Sequence, residues 1–401
     1  MKKRIFVLLS ALVLSASVAL AATPTAPVFS MTVKSTKVAN GANWSNDGGR
    51  ELAVDGNNIY AAFHGPYGEP SVIRSTDGGA TWGMPAVLAN DPAGNASYNM
   101  RIAVAKDPLY TGKKIVCVTW VTMDGSLMYS YFVDRPTGTT WSTPVVIANT
   151  WETVNLAAAP NGSLHLLFID SSTGLNYYAT ATNAEAPFST PKQVPWSESN
   201  QSLAIDSNNN LYVTETHYDS VLGNTLYYHN KPASSSSWSS VVVAKTDTTN
   251  EINDNVSIAV YDANNIYIAF KKYPLTVANS ENHVWLASSS NAGKTWTQKI
   301  VTPNATVYGT HPSITVNSSK VVTIAAHYVN YGPDGRITIN KTSDNGTTWS
   351  ANVSVIGNNQ ASTALDSAGK VCVLSNLDDI IDTFRNGSLG NPASLYFSRE
   401  K

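Results

Sequence analysis

The chain has 401 residues, a formal net charge of −2 and only 13% charged side chains, so it lacks the basic surface that a nucleic-acid partner demands. Its two cysteines and the absence of any Cys/His cluster at metal-ligand spacing exclude a disulfide scaffold and a structural zinc site, and no cofactor is expected. From the N-terminus, Lys2, Lys3 and Arg4 precede an apolar run from Ile5 to Leu20, and Ala19-Leu20-Ala21 places small residues around a cleavage point. Residues 1–21 therefore read as a signal peptide cleaved near Ala21, and 22–401 as a single exported domain that is secreted, periplasmic or held at the cell surface. A membrane anchor needs a longer apolar span than this run, and none follows it.

Beyond the leader, apolar and polar residues alternate and helical spacing is missing, an all-β pattern. One unit recurs down the chain. It opens with a short strand, an Asp/Asn/Gly turn and a second strand: Leu52-Ala53-Val54-Asp55 into Ile59-Tyr60, Leu203-Ala204-Ile205-Asp206 into Leu211-Tyr212, Ile258-Ala259-Val260 into Ile266-Tyr267, and Thr363-Ala364-Leu365-Asp366 into Val371-Cys372. Weaker copies begin at Ile102, Leu156 and Ile314. The starts fall about 47 to 56 residues apart, the period of a four-stranded propeller blade. Seven units are expected, with six as the alternative. The seventh ends at Ser394–Ser398 without a fourth strand, and Phe29 to Asn40 looks like the missing one, so the N-terminal strand is expected to close the last blade. Cys117 and Cys372 fall in apolar strands of non-adjacent units and are expected as buried free thiols.

Between the third and fourth strands sits a shorter signature. Ser75-Thr76-Asp77-Gly78-Gly79-Ala80-Thr81-Trp82, Ser289-Ser290-Asn291-Ala292-Gly293-Lys294-Thr295-Trp296 and Thr342-Ser343-Asp344-Asn345-Gly346-Thr347-Thr348-Trp349 share one spacing, with degraded copies ending at Trp141 and Trp238 and with Phe188 in the third unit. An Asp or Asn side chain bonds the backbone just ahead of it, Gly takes a positive φ, and Trp is expected to pack over the turn. This spacing resembles the Asp-box, or bacterial neuraminidase repeat, of sialidase-like β-propellers. The motif itself is a structural staple, and so are the turn residues Asp55, Asp206, Asp262 and Asp366. His165, in a slot held elsewhere by Tyr, reads as a hydrogen-bonded blade histidine.

The resemblance implies a working mouth formed by residues just before each inner strand and just after each second strand. The first class gives Arg50, Arg101, Asn155, Gln201, Asp254, His311 and Gln360; the second gives His64, Glu69, Trp120, Asp124, Glu215, His217, Lys271, Tyr273, His327 and Tyr328, among others. Arg50, Arg101, Arg336, His64, Trp120, His217 and His327 are the expected ligand-binding set. Trp120, Tyr273, Tyr328 and Tyr331 are the expected exposed aromatic platforms. If the chain is an enzyme, the family implies an exo-α-sialidase: three arginines clamp a sugar carboxylate, Glu215 activates Tyr273 or Tyr328 as nucleophile, and Asp124 or Glu69 is the acid. The Ile-Pro that follows the first arginine in that family is absent after Arg50. The leading reading is therefore a monomeric exported propeller that binds a glycan or cell-surface ligand. Glycosidase or lyase action, and a scaffold for extracellular proteins, are the alternatives.

Overall fold

The computed structural model describes residues 33–40, 50–65, 68–89, 98–150, 154–197, 200–219, 223–246, 250–274, 283–301, 308–329, 336–350, 353–357, 361–377 and 394–400. Residues 1–21, read as a leader, lie outside the described residues. Among those described there are strands and turns only, and no helix is long and apolar enough to cross a membrane.

Seven antiparallel sheets form a ring, so the count expected from the repeat period holds. Blade 1 is β2 (Leu52–Asp55), β3 (Asn58–His64), β4 (Pro70–Ser75) and β5 (Ala86–Val87). Blade 2 is β6 (Tyr98–Lys106), β7 (Lys114–Val121), β8 (Ser126–Arg135) and β10 (Val145–Asn149), with β9 (Gly138–Trp141) extending the β8 hairpin. Blade 3 runs β11 (Val154–Ala158), β12 (Leu164–Ile169), β13 (Leu175–Ala181), β14 (Lys192–Ser197). Blade 4 runs β15 (Asn200–Ile205), β16 (Leu211–Asp219), β17 (Gly223–Lys231), β18 (Ser239–Lys245). Blade 5 comprises β19 (Asn250–Val260), β20 (Ile266–Pro274), β21 (His283–Ser289) and β22 (Thr297–Ile300). Blade 6 comprises β23 (Tyr308–Val316), β24 (Val322–Val329), β25 (Arg336–Thr342) and β26 (Val353–Val355). Blade 7 has β27 (Ala361–Leu365), β28 (Val371–Leu377) and β29 (Ser394–Glu400), and its outer strand is β1 (Val33–Asn40). Strand β1 pairs antiparallel with β29 from Val33↔Glu400 to Asn40↔Ser394, which is the expected closure.

The core lies between blades rather than within one sheet. Seven apolar clusters fill the seven seams, for example Leu52, Phe63, Leu374 and Phe397 between blades 7 and 1. Both faces of every central strand are thus covered. Cys117 and Cys372 are buried and free, in blades 2 and 7.

The three strict turns close with one bond pattern. The Gly79, Gly293 and Gly346 amides donate to the Oγ of Ser75, Ser289 and Thr342 at 2.8–2.9 Å, and the Thr81, Thr295 and Thr348 amides donate to Asp77, Asn291 and Asp344 Oδ1 at 2.9 Å. The Thr81 hydroxyl and amide bonds hold the Asp77 carboxyl down at about 2. The tryptophans do something that their own turns do not reveal. Their half-buried rings wedge against the preceding blade instead of merely covering the turn: Trp82 meets Phe397 at 5.1 Å, Trp296 meets Tyr228 at 5.3 Å, and the substitute Phe188 meets Tyr129 at 5.2 Å. Glycine is required beside them for space as well as for φ. A Cβ on Gly79 (φ +88°) would stand 2.2 Å from Phe397 Cε1.

Candidate functional site

In each blade the inner strand starts, and the antiparallel second strand ends, at one face of the ring. The wedged turns follow the third strand and therefore lie on the opposite face. The inner strands converge on a central channel of about 400 Å³. Six of the seven contribute an alanine at the same register, Ala53, Ala103, Ala157, Ala204, Ala259 and Ala364, and blade 6 contributes Thr315. Small side chains there let seven strands approach one axis.

Just ahead of that register, at the mouth, the blades divide into two kinds. In blades 4 to 7 the slot holds serine, and each hydroxyl accepts a backbone amide of the next blade. Ser202 takes Ile258 N (3.3 Å), Ser257 takes Ile314 N (3.3 Å), Ser313 takes Thr363 N (3.0 Å) and Ser362 takes Glu51 N (3.0 Å). In blades 1, 2 and 3 the slot holds Glu51, Arg101 and Asn155 instead. Those three larger groups still join blades. The Arg101 Nη1 group donates to Met100 O (2.8 Å) and Glu51 Oε1 (3.3 Å), and Asn155 Nδ2 donates to Gln201 O (2.9 Å). Arg101 and Glu51 are 0% and 1% exposed, which makes this a buried ion pair. Glu51 was not among the sequence candidates, although alignment of the repeats on this one slot marks it.

Arg50 precedes Glu51 and reaches across the channel. Its Nη2 donates to Ile258 O (2.8 Å) and to Ser202 Oγ (3.3 Å), so an arginine from blade 1 spans to blades 4 and 5. Burial, then repulsion from Arg101, lowers its pKa to about 10, with Glu51 acting the other way; it stays cationic at neutral pH. The structure thus brings Arg50 and Arg101 together around Glu51. The side chains of Arg336, Tyr273 and Tyr328 lie outside the described residues, as do those of Asp254 and Asp219, and the whole of Gln360, Tyr331, Asp378 and Asp379. Their strand positions are known where register pairs Arg336 with Tyr328 and Tyr273 with Glu251.

Across the mouth, on the face of blade 4 turned to blade 3, Glu215 is fully buried. Its Oε1 accepts from His217 Nδ1 (3.2 Å) and His229 Nε2 (3.0 Å), and the Trp196 ring stacks on His229 at 4.0 Å. His229 was missed from the sequence because it sits on a third strand, outside both candidate classes. Glu215 is too enclosed to touch a substrate; it positions His217, whose side chain is 20% exposed. Next to it on β16, Tyr218 is 73% exposed, a residue that the sequence reading did not single out.

Several expectations are corrected. Trp120 is 1% exposed and packs with Met100 and Ile102 in the seam between blades 1 and 2, so it is core rather than platform. Arg101, expected in the ligand-binding set, is likewise fully enclosed and paired with Glu51. Asp124 sits exposed in the β7–β8 hairpin, where hydrogen bonds from Thr122 and from Ser126 N hold its carboxyl below the usual range, the opposite of what a general acid needs. His64 is buried at the end of β3. His165 is satisfied by Tyr178 OH (2.6 Å) and Ser163 Oγ (2.9 Å), as expected of a blade histidine. Among the described residues no His/Cys/Asp/Glu group could hold a metal ion.

His165, His311 and His327 are all lowered from 6.5 to about 4, in each case first by burial. His311 is further opposed by His327 and Lys271. The folded state keeps them neutral while the unfolded chain takes up protons near 6.5. Their contribution to stability is therefore intact above that value and is lost as pH falls from about 6.5 to 4. Unfolding midpoints measured across this window should fall steadily, and His165→Gln should flatten the slope; an unchanged slope in that variant contradicts the assignment.

No protein-family model matches the chain, and no curated protein matches it in sequence. Solved structures do. An ulvan lyase described as a new family of polysaccharide lyase, bound to -[GlcA(1-4)Rha3S]-, superposes with a TM-score of 0.65 at 11% identity, over 90% of this chain and 95% of its own. The endosialidase of phage phi92 gives 0.51 at 15% identity over 92% and 69%. A protein of unknown function from Dyadobacter fermentans gives 0.51 at 12% over 92% and 99%. At these identities the likeness establishes the propeller fold.

Proposed function

We propose that this chain is an exported, monomeric β-propeller of the sialidase-like kind, and that it binds an anionic glycan at the mouth carrying Arg50, Glu51, Arg101, Glu215 and His217. One observation carries the reading. The serine that stitches four inner strands to their neighbours is replaced, in three consecutive blades, by Glu51, Arg101 and Asn155, directly beneath an arginine that crosses the channel. A stitch alone asks only for a hydroxyl. Charged and amide groups buried in one sector of an otherwise regular ring support a recognition role there, since burying charge opposes folding unless it is paired. A carboxylate on the ligand suits Arg50, whose planar fork pairs an anion through two bonds. A uronate-bearing glycan in the ulvan lyase and the endosialidase activity of the phage protein agree with such a ligand on this fold. Tyr218 supplies a ring face for the sugar.

A second reading, turnover as a glycosidase or lyase, is favoured by the Glu215–His217 contact. A buried carboxylate that only accepts fixes the Nδ1–H tautomer of His217, which leaves the basic lone pair on Nε2.

The test is a glycan panel of uronate-bearing, sialylated and neutral members, with free reducing ends or unsaturated products assayed in parallel. Wild type should select the anionic members. Loss of a charge-assisted contact is worth about 1.5–3 kcal/mol, so Arg50→Ala should weaken them roughly 10- to 100-fold while leaving neutral sugars alone. Equal affinity in the Arg50 variant sinks the mouth assignment. Product released by wild type but not by Glu215→Gln, at similar affinity, decides for turnover.

A further inference from the structure

A hydrogen-bonded line of side chains crosses the blade 3-facing side of blade 4, from the inner wall to the outer rim. Ser240, on outer strand β18, lies 2.7 Å from His229 Nδ1; His229 Nε2 lies 3.0 Å from Glu215 Oε1. Register puts Ser240 directly opposite His229 on β17, and His229 opposite Val213, two residues below Glu215 on β16. These are a hydroxyl, an imidazole and a carboxylate in hydrogen-bonded series. Glu215 can only accept, so Nε2 of His229 carries the proton and Nδ1 presents its lone pair to the serine. The imidazole is 2% exposed and is fixed in plane by the Trp196 ring stacked on it at 4.0 Å and 11°. Ser240 itself is exposed. That combination, a reachable nucleophile on a base that is buried, oriented and stacked, exceeds what pinning a surface strand requires.

We infer that Ser240, His229 and Glu215 form a nucleophilic triad for ester hydrolysis whose serine opens on the outer wall of blade 4, away from the mouth, with Glu215 common to both. Triads are recognised by geometry and roles and not by order in the chain. In the acylation step Ser240 Oγ bonds to the ester carbonyl carbon and its proton passes to His229 Nδ1. The C–O bond to the alcohol then breaks, and the imidazolium returns the proton to the departing oxygen. Water deprotonated by the same nitrogen adds to the acyl-serine, releasing the carboxylic acid and regenerating Ser240 and neutral His229. Glu215 stabilises the imidazolium between these transfers. Strand β18 is the edge of its sheet and pairs with β17 alone, so alternate backbone N–H groups along it face outward and can serve a developing oxyanion. Val242, 43% exposed and two residues along on the same side, offers an apolar contact for a short acyl group.

Glu215 is shared with the mouth, so the test is built on Ser240, which is not. The intact protein is treated with a fluorophosphonate probe and, separately, with p-nitrophenyl acetate. Wild type should be labelled at Ser240, mapped by peptide mass, and should hydrolyse the ester; Ser240→Ala should lose both while its affinity for the glycan panel is unchanged. His229→Gln should slow labelling by at least about 100-fold, in line with loss of a triad member. Should that variant fold poorly, Ser240→Cys is a second arm. Cys117 and Cys372 are buried, so iodoacetamide alkylation of folded protein reads the new thiol, and it should be faster than for a cysteine placed at exposed Ser239. Absence of label at Ser240 in wild type, ester hydrolysis unchanged in Ser240→Ala, or equal alkylation at the two positions overturns the triad. Failure of glycan binding with labelling intact would overturn only the mouth reading.

Discussion

A chain that begins after Asn40 is expected to lose about 5 kcal/mol or more of stability, beyond the range of ordinary single substitutions. Strand β1 is the outer strand of blade 7, and its removal cuts the backbone ladder from Val33↔Glu400 to Asn40↔Ser394. Val38 and Ala39 pack on the cluster that contains Leu395 and Phe397, buried at 0% and 2% exposure. Uncovering even those two side chains costs about 1.5–3 kcal/mol each, and each lost backbone bond adds roughly 0.5–1.5. The exposed edge of β29 would then be a template for pairing between molecules. Denaturant titration should show a strongly reduced midpoint, and light scattering should show association. A synthetic peptide of residues 33–40 added in trans should restore part of the midpoint by strand addition. A truncated protein that melts with wild type removes β1 from the account of closure.

Arg101→Ala is expected to destabilise by about 3–5 kcal/mol, the typical cost of deleting one partner of a buried ion pair. Its guanidinium carries the Nη1 bonds to Glu51 and Met100 in the seam between blades 1 and 2, where water does not reach to replace it. The double variant Glu51→Ala with Arg101→Ala should be less destabilised than the two singles added together, because the second deletion removes the charge that the first stranded. Equilibrium unfolding of all four proteins measures this coupling. Strict additivity, or a loss under about 1 kcal/mol for the single change, means the pair holds nothing. The result bears on function too, since weaker glycan binding in an Arg101 variant must be read at matched folded fraction.

The ring was legible because its repeat is local. Each unit writes its inner strand, its Asx turn and its second strand within a few residues, and hydrogen bonding inside the turn explains why Asp, Asn, Gly and Thr recur at fixed offsets. Blade count follows from the period, and closure from a seventh unit one strand short. Burial at the mouth was not legible. In this architecture both faces of a strand meet another blade, so alternation does not say which strand-end groups face water. Trp120 and Arg101 look like loop-edge residues in sequence and are enclosed by neighbours some fifty residues away in the chain. The direction of the Trp82 and Trp296 rings escaped for the same reason, as their partners Phe397 and Tyr228 belong to other repeats. Glu51 and His229 could have been found by asking which units break the pattern at a given slot rather than which units keep it.

The wedged turns and the mouth lie on opposite faces of the ring, and this separates two kinds of evolutionary constraint. On the lower rim, a change at Gly79 or Gly293 collides with an aromatic of the adjoining blade, so variation there is paid in assembly of the whole ring. The hairpins at the other rim, such as Thr122–Ser126 between β7 and β8, close largely on their own hydrogen bonds, with one more from Thr150 N of the same blade. Lineages can therefore lengthen, shorten or rewrite the upper loops while the lower rim holds still. The same division makes the scaffold suited to a display library: randomising the mouth hairpins should yield folded members with new specificities, whereas an equal mutational load on the wedged turns should yield mostly aggregates.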